Sequence, residues 1–338
     1  MSLTGPCPDC PVRRRPDRIR QHHQTTRDLS GDAVLPVSLP KFIRKKALTY
    51  TPLPLPSKIG IERWLRGREE CYRLGRSNAV VVSYEKSGRT WLRVMLSYYY
   101  QRRYKLPEAR LLHYNKMHKL NAAVPTVLFT HNRYLKYYTG GHDTDYKLYG
   151  DKPVILLVRD PRDVAVSLYF HWLHRVKAHN KMLDDMPLDG ADISMYEFIT
   201  GPQSGLPAII DFMNRWLQQS RKMPQLAMYR YEDLRAKTEK YLEQVLHTLG
   251  EQPAADEVAE VVAFAEFEKM KQREQSGQVS DSRLAAGDVN NPDSFKARRA
   301  KVGGYRDYFD AAQIEHIDSL VSATLEPTFG YCSHTAVG

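Results

Sequence analysis

The chain has 338 residues, of which 42% are hydrophobic and 26% are charged, and its formal net charge at pH 7 is +11. This composition is typical of a globular protein and excludes a largely disordered chain. No segment approaches the roughly 20 consecutive apolar residues that cross a bilayer, and the first residues lack the apolar run of a signal peptide. We therefore expect a cytoplasmic protein.

The N-terminal segment, residues 1–48, is basic and polar and has no hydrophobic periodicity. We predict a flexible arm there and a single domain over residues 49–338. The excess positive charge predicts attraction to an anionic ligand, and it leaves open peripheral contact of the arm with a membrane surface. Cys7 and Cys10 form one C-x-x-C pair without the second pair of a structural zinc site, so we predict no bound metal.

Short apolar runs alternate with helical patterns from residue 49 onward. In chain order the runs are NAVVVSY, TVLFTHN, PVILLVRD and QLAMYRYED, and helical patterns follow the first, third and fourth of them. Apolar runs of this length, bounded by proline or polar residues, are typical of strands that are buried on both faces. The sequence therefore predicts an α/β fold with a central, mainly parallel β-sheet flanked by helices.

Two helices are predicted to begin directly after strands. Leu92 and Met95 begin an apolar stripe that would pack on the sheet. Asp160 is a candidate N-cap, Pro161 would be the first helical residue, and Asp163 follows three residues after the cap. Ligands bind at the carboxyl ends of strands in open parallel sheets, so we expect a binding site where these helices begin. The long polar stretch at residues 276–304 is predicted to be a loop.

The segment SYEKSGRTWL, which follows the first apolar run, has the chemistry of an anion site. A glycine-containing loop between a strand and a helix gathers free backbone N–H groups at the helix N-terminus. Gly88 would permit close approach, Lys86 would add positive charge, and Ser87 and Thr90 would add hydroxyl donors. The spacing is not the G-x-x-x-x-G-K-[ST] of the common nucleotide loop. Trp91 either packs in the core or stacks on a base.

Three segments resemble motifs of one enzyme family. YEKSGRTWL resembles the Y-P-K-S-G-T-T-W-L loop of the sulfotransferases that use 3′-phosphoadenosine 5′-phosphosulfate (PAPS), and VRDPRDVAVSLYFHW resembles their R-[ND]-P-[KR]-D-V-A-V-S segment. RRAKVGGYRDYF resembles their R-K-G-x-x-G-D-W-K segment, and the three occur in the family's order. The resemblance implies the sulfotransferase fold, with its P-loop-like phosphate cradle, and a PAPS-dependent enzyme, here a divergent, bacterial-type member.

The resemblance also implies which residues bind the cofactor. Arg159 and Ser167 would bind its 3′-phosphate together with Arg298 and Arg299, while the loop after the first strand would hold the 5′-phosphosulfate. Two weaker matches, YRYED and FEKMK, would place one aromatic residue on each side of the adenine. The implied cofactor-binding residues are Lys86, Ser87, Gly88, Arg89, Thr90, Trp91, Arg159, Ser167, Tyr231, Phe267, Arg298, Arg299 and Ala300.

The family's catalytic base lies in a K-T-H segment, which TVLFTHN matches at His131. A histidine whose pKa is near neutrality can take a proton from the acceptor hydroxyl. Transfer in line with the leaving group needs alignment and charge neutralisation rather than a metal. The resemblance thus implies His131 as general base and Lys86 as the residue that stabilises the leaving adenosine 3′,5′-bisphosphate (PAP).

Among the departures from the family's motifs, three concern the predicted active site. Glu85 stands where the family has proline, and the alternation of side chains along a strand predicts that it points outward. Arg89 replaces the first threonine of the loop, which adds a charge and removes a hydroxyl. Phe129 replaces the lysine of K-T-H and removes one contact to the sulfuryl group.

Two other functions are open from the residues alone. A nucleotide-dependent phosphotransferase could use a similar cradle, and a basic binding protein could hold nucleic acid or an anionic membrane surface. The resemblance implies no specific nucleic acid and instead a small-molecule, glycan or lipid acceptor. Phenol, steroid, sugar, lipid and amine acceptors are not distinguished, nor is the oligomeric state. The tyrosine-rich segments YYYQRRY and YLKYY either pack in the core or line the acceptor pocket.

Overall fold

Four parallel strands in the order β2-β1-β3-β4 form the sheet of the described residues. A computed structural model describes residues 50–107, 111–141, 146–266, 269, 272, 291 and 301–332. The strands are β1 (Ala79–Ser83), β2 (Val127–Thr130), β3 (Val154–Val158) and β4 (Leu226–Arg230). The predicted parallel sheet is therefore confirmed. The predicted arm at residues 1–48 lies outside the described residues.

The strand β1 lies inside the sheet and pairs with both β2 and β3. Val81 is opposite Phe129 in β2 and opposite Ile155 in β3. Leu157 of β3 is opposite Tyr229 of β4 on the far side. Every residue of β1 and β3 is buried, because helices cover both faces of the sheet.

The helices of the described residues lie before β1, between the strands and after β4. In chain order they are α1 (Leu55–Arg76), α2 (Arg89–Arg103), α3 (Leu135–Thr139), α4 (Pro161–His174), α5 (Ala178–Leu183), α6 (Met195–Thr200), α7 (Leu206–Ser220), α8 (Tyr231–Ala236), α9 (Thr238–Thr248), α10 (Ala255–Phe264) and α11 (Ala311–Thr324). Short 3₁₀ turns occur at Tyr146–Leu148, Gly304–Tyr308 and Pro327–Phe329.

Side chains that alternate along β1 enter two separate cores. Val80 and Val82 pack with Trp216 of α7 on one face of the sheet. Val81 packs on the other face with Leu92, at the start of the predicted stripe of α2. The rest of that stripe, Met95, Leu96 and Tyr99, is at most 1% exposed, so the prediction is confirmed.

The predicted start of α4 is also confirmed. The side chain of Asp160 accepts a hydrogen bond from the backbone N–H of Arg162 at 3.0 Å, and Pro161 is the first helical residue. The carboxylate of Asp163 has a long-range role, since it accepts from the backbone N–H groups of Gly303 at 2.9 Å and Tyr305 at 3.0 Å. The segment after residue 300 is thereby attached to the beginning of α4.

A buried ionic network around Arg162 fastens the C-terminal part of the chain to α4. The Arg162 guanidinium donates to the Asp160 carboxylate at 2.7 Å, to Asp318 of α11 at 2.6 Å and to the Tyr331 carbonyl at 3.1 Å. The Tyr305 hydroxyl donates to the same Asp318 at 2.6 Å. The side chains of Arg162 and Asp318 are only 10% and 3% exposed.

Removal of this buried cation should destabilise the protein strongly. Arg162→Met should lower the free energy of unfolding by about 3–5 kcal/mol, because the carboxylates of Asp160 and Asp318 stay buried without it. The matched control is Arg306→Met, which removes a 49% exposed cation that also contacts Asp318, at 2.9 Å. The control should cost at most about 1 kcal/mol. Urea unfolding measures both values, and equal losses would contradict a special role of the buried arginine.

Candidate active site

The loop between β1 and α2 forms a cradle of backbone at the start of a helix. Lys86 and Gly88 both have positive φ angles, 67° and 91°, and Gly88 is the N-cap of α2. The first N–H groups of α2 therefore lack intrahelical acceptors, and the helix dipole favours an anion in front of them. Ser87 is buried, and Arg89 and Thr90 form the first residues of the helix.

Arg159, at the end of β3, lies against this loop. Its guanidinium donates to the Lys86 carbonyl at 3.2 Å and lies 4.6 Å from the centre of the Tyr231 ring. The Tyr231 ring in turn packs on Gly88 so closely that a Cβ atom at position 88 would collide with it. The structure therefore brings Lys86, Gly88, Arg159 and Tyr231 together. The Arg159 Nε atom is buried and has no hydrogen-bond partner in the described part of the chain.

Trp91 is half-buried beside the same tyrosine. Its ring is edge-on to Tyr231 at 6.1 Å, and its Nε1–H donates to the Ala265 carbonyl at 2.8 Å, just after α10. The Arg235 guanidinium lies 5.7 Å from the Trp91 ring. Trp91 is thus attached to the helices on that face of the sheet while part of its surface stays accessible.

The remaining predicted cofactor residues fall into two groups. Ser167 is half-buried on α4, two turns after Arg159. Phe267, Arg298, Arg299 and Ala300 lie outside the described residues. The description resumes at Lys301, whose carbonyl accepts from the Arg159 guanidinium at 3.4 Å. The third motif therefore contacts the residue at the end of β3 through Lys301.

His131, directly after β2, is held in one tautomer. One ring nitrogen, Nδ1, lies 2.9 Å from the carbonyl oxygen of Ser83, so it must carry the proton and donate it. The other, Nε2, accepts from the Arg89 guanidinium at 2.6 Å. Burial and the nearby Arg89 charge hold the pKa of His131 well below 6.5. The imidazole is therefore neutral at pH 7, with a lone pair on Nε2.

Arg89 supplies positive charge next to this lone pair. Burial lowers the pKa of its guanidinium to about 10, which still leaves it charged at pH 7. Its second amino group, Nη1, is buried without a hydrogen-bond partner among the described residues. Phe129, at the position of the family's lysine, instead lies under the Arg93 guanidinium at 4.3 Å. His131 thus has a cation beside it, but Arg89 supplies this cation and not a lysine at position 129.

The expectation that Glu85 points outward is wrong. Its carboxylate pairs with Arg133 at 3.3 Å and lies 3.9 Å from the His131 Nε2 atom. Burial is the largest single influence on the pKa of Glu85 and raises it, but the charges around the carboxylate, led by Arg133, together outweigh burial and lower the pKa to about 2. The strand alternation fails because β1 ends at Ser83, two residues before Glu85.

A cavity of about 270 Å³ is lined by His131 and Glu85 but not by Arg159 or Lys86. Loops and helices that follow β1 and β2, together with α5 and α7, line it. From YLKYY, Lys136 and Tyr137 reach the wall, whereas Tyr99 and Tyr100 of YYYQRRY are buried in the core. The residues of α5 and α7 that line the cavity could not be predicted from the sequence, because no local pattern distinguishes them from other helical residues.

Among the described residues, no group of three or more His, Cys, Asp or Glu side chains is arranged to hold a metal ion. None of the helices in that part of the chain has the length and apolar character needed to span a membrane.

The chain is similar to known proteins over most of its length. Residues 76–329 match the family model of the sulfotransferase domain. Sulfotransferase 2A6 of Mus musculus is 26% identical over 167 residues, which are 49% of this chain and 54% of that protein. Sulfotransferase 1B1 of Mus musculus is 24% identical over 175 residues, which are 52% of this chain and 54% of that protein. The chain thus spans about half the length of the curated relatives it matches.

A solved structure supports the fold. Retinol dehydratase in complex with androsterone and the inactive cofactor PAP superimposes with a TM-score of 0.50 and 16% identity. The similarity covers 78% of this chain and 86% of that one. The predicted sulfotransferase fold is confirmed.

The contact between Gly88 and Tyr231 predicts a selective effect of a methyl group. Gly88→Ala should lower the free energy of unfolding by about 2–5 kcal/mol, since it combines a left-handed backbone with a collision. The matched control is Gly140→Ala, where φ is 75° and a Cβ atom would have no described neighbour within 4 Å. Its cost should be about 1–2 kcal/mol, from the backbone alone. Urea unfolding of both variants tests this, and equal costs would contradict the contact.

The low pKa of His131 predicts a loss of stability in acid. Below pH 6.5 the unfolded chain binds a proton at this residue that the folded chain does not bind. The free energy of unfolding therefore decreases as the pH is lowered. Between about pH 7.5 and about pH 5.5 the loss from this group should be about 1.4 kcal/mol. His131→Gln should remove that part of the pH dependence. An unchanged pH profile in the variant would show that His131 is not held neutral.

Proposed function

Because the chain belongs to the sulfotransferase domain family, we propose that it transfers the sulfuryl group of PAPS to a hydroxyl or amine acceptor. The observation that carries the proposal is the neutral His131, with its Nε2 lone pair, at the same sheet edge as the helix-start cradle and Arg159. An acid–base group thus lies next to an anion site, as transfer between a phosphosulfate and a hydroxyl requires.

The residues at the cradle fit a nucleotide that carries phosphates. The N-terminus of α2 and the Lys86 charge would hold the 5′-phosphosulfate. The buried, unpartnered Nε atom of Arg159 would donate to the 3′-phosphate, together with Ser167 and with Arg298 and Arg299. Trp91 and Tyr231 offer aromatic surface for the adenine, with Phe267 on its other side.

The bound PAPS supplies an activated sulfuryl group, and His131 supplies the base. The acceptor hydroxyl gives its proton to Nε2 of His131 as its oxygen forms the new bond to sulfur. The bond between sulfur and the phosphate oxygen breaks, and its electron pair leaves on PAP, where Lys86 offsets the charge. The Ser83 carbonyl keeps the proton on Nδ1 and so keeps Nε2 as the acceptor.

Arg89 would act at both ends of this proton transfer. It keeps His131 neutral before transfer, because its charge disfavours a second proton on the ring. Its unpartnered Nη1 group would donate to the sulfuryl oxygens. Arg89 would thereby provide the cationic contact that Phe129, at the position of the family's lysine, cannot provide. The acceptor hydroxyl must take the place of Arg89 at Nε2, so the guanidinium moves toward the sulfuryl group when both substrates are bound.

Two measurements on His131 and Arg159 variants test the proposal. PAP should raise the melting temperature, and labelled sulfuryl transfer from PAPS should be measurable. His131→Ala should lower transfer by about a hundred-fold or more and leave the PAP dissociation constant nearly unchanged. The matched variant Arg159→Met should show the reverse pattern, with PAP bound about ten- to a hundred-fold more weakly.

The alternatives predict different results from the same protein. Stabilisation by ATP with Mg²⁺ but not by PAP would favour a phosphotransferase. Salt-sensitive binding to DNA or to anionic vesicles, without PAP binding, would favour a basic binding protein. An equal loss of transfer and of PAP binding in His131→Ala would contradict the assignment of the base.

A further inference from the structure

Most residues that line the cavity beside His131 are polar, although polar and apolar surface contribute about equally to its wall. Of its 17 lining residues, 11 are polar or charged and 6 are aliphatic or aromatic. The volume of about 270 Å³ is just below the usual range for ligand pockets, which is roughly 300–1,000 Å³. Ligand pockets are usually lined mainly by apolar residues, so this composition is informative about the ligand.

The charges in the wall are matched within the protein. Arg133 lies between two carboxylates, Glu85 at 3.3 Å and Asp184 at 2.6 Å. Asp185 pairs with Arg63 at 2.6 Å. The wall charge at Asp211 is likewise paired, with Arg215 of the next helical turn at 2.9 Å. Glu85 and Asp184 share the Arg133 charge, and Lys136 adds a further cation to the wall. The four carboxylates are thus balanced by four cations, so the cavity as a whole does not call for a positively charged amine.

These paired groups still require hydrogen bonds from whatever fills the cavity. A carboxylate or guanidinium that contacts water accepts or donates several hydrogen bonds, and an apolar ligand would displace that water without replacing them. Each group left unsatisfied costs about 1–3 kcal/mol. A ligand with many hydroxyl groups can donate to carboxylates and accept from guanidinium groups at the same time.

Ser204, between α6 and α7, adds a hydrogen-bonding group that no other described residue satisfies. The residue lines the cavity and is 5% exposed, and its hydroxyl is buried without a partner among the described residues. Buried hydroxyls almost always have a partner. An unsatisfied buried hydroxyl at the wall of the cavity therefore points to a ligand group that binds it.

Half of the six apolar residues in the wall are aromatic. Tyr84 and Phe212 meet edge to face with their ring centres 5.4 Å apart, and Tyr137 also lines the cavity. Aromatic rings of this kind bury flat apolar surface while polar groups nearby fix orientation. A sugar ring has both features, because its C–H groups form an apolar face and its hydroxyls point outward from the rim.

We infer that the acceptor is a neutral, polyhydroxylated molecule of the carbohydrate class, with one hydroxyl at the Nε2 atom of His131. The inference rests on the proposed function, since it assigns the acceptor of that reaction. Charge pairing at Glu85, Asp184 and Asp211 disfavours an amine, and the polar wall disfavours an apolar acceptor. The androsterone of the retinol dehydratase complex is an apolar molecule of the kind that this wall would exclude.

An acceptor panel with the full chain and labelled PAPS tests the inference. Methyl glucoside and lactose are the carbohydrate probes, and cyclohexanol is the matched ring that lacks the extra hydroxyls. Androsterone, para-nitrophenol and cyclohexylamine represent the steroid, phenol and amine classes. The kcat/KM for at least one carbohydrate should exceed that for every other probe by about a hundred-fold, because the unsatisfied wall groups reject the analogues.

Two variants connect the preference to the wall. Ser204→Ala should raise the KM for the carbohydrate by about ten-fold and leave the PAP dissociation constant unchanged. The exposed Gln203, which also lines the cavity, provides a second variant, Gln203→Ala, that leaves the buried wall intact. The matched control is Ser220→Ala, whose hydroxyl donates to the Leu217 carbonyl at 2.7 Å outside the cavity. The control should change neither constant.

The possible results separate this inference from the proposed function. Preferred transfer to cyclohexanol, phenol, steroid or amine would overturn the carbohydrate class but leave sulfuryl transfer intact. PAP binding without transfer to either carbohydrate would also overturn it, as would unchanged KM values in both wall variants. Absence of both PAP binding and transfer would instead refute the proposed function, and with it the inference.

Discussion

The parallel register of β1 with its neighbours is the constraint on which the rest of the structure depends. Because the strands run in one direction, their carboxyl ends meet at one edge, where the cradle loop, His131, Arg159 and Tyr231 each follow a different strand. Both faces of β1 and β3 are buried, so a slip of one residue would exchange their two cores. Apolar packing thereby determines where the polar side chains lie.

Removal of water at this edge affects its charged groups in different ways. Burial and a nearby cation act in the same direction on His131 and keep it neutral. At Glu85 burial raises the pKa and nearby charges lower it, and the charges, with Arg133 first among them, have the larger combined effect. A neutral base and an ionised carboxylate can therefore lie 3.9 Å apart, because each has a different closest cation. Arg89 contacts His131, and Arg133 contacts the Glu85 carboxylate.

The two sides of the candidate site differ in how their cations are satisfied. Toward the cradle, buried nitrogen atoms of Arg159 and Arg89 have no hydrogen-bond partner among the described residues, so this side can accept anionic oxygens. Toward the cavity, Arg133 contacts the carboxylates of Glu85 and Asp184, so the charge of this arginine is already neutralised within the protein. This division agrees with an anionic donor and a neutral acceptor that meet at His131. The net charge of the whole chain therefore does not predict the local charge on either side of the site.

The sequence by itself determined the elements whose information is contiguous: the buried strands, the stripe of α2, the Asp160 cap and the cradle loop. It missed α1, which begins inside a proline-rich segment, and it placed Glu85 on the wrong side because the strand ends earlier than the pattern suggested. Only the tertiary structure decided that Arg89 contacts His131 and that α5 and α7 complete the cavity. Short-range patterns encode burial and helix ends, whereas a contact between distant side chains depends on how whole elements pack.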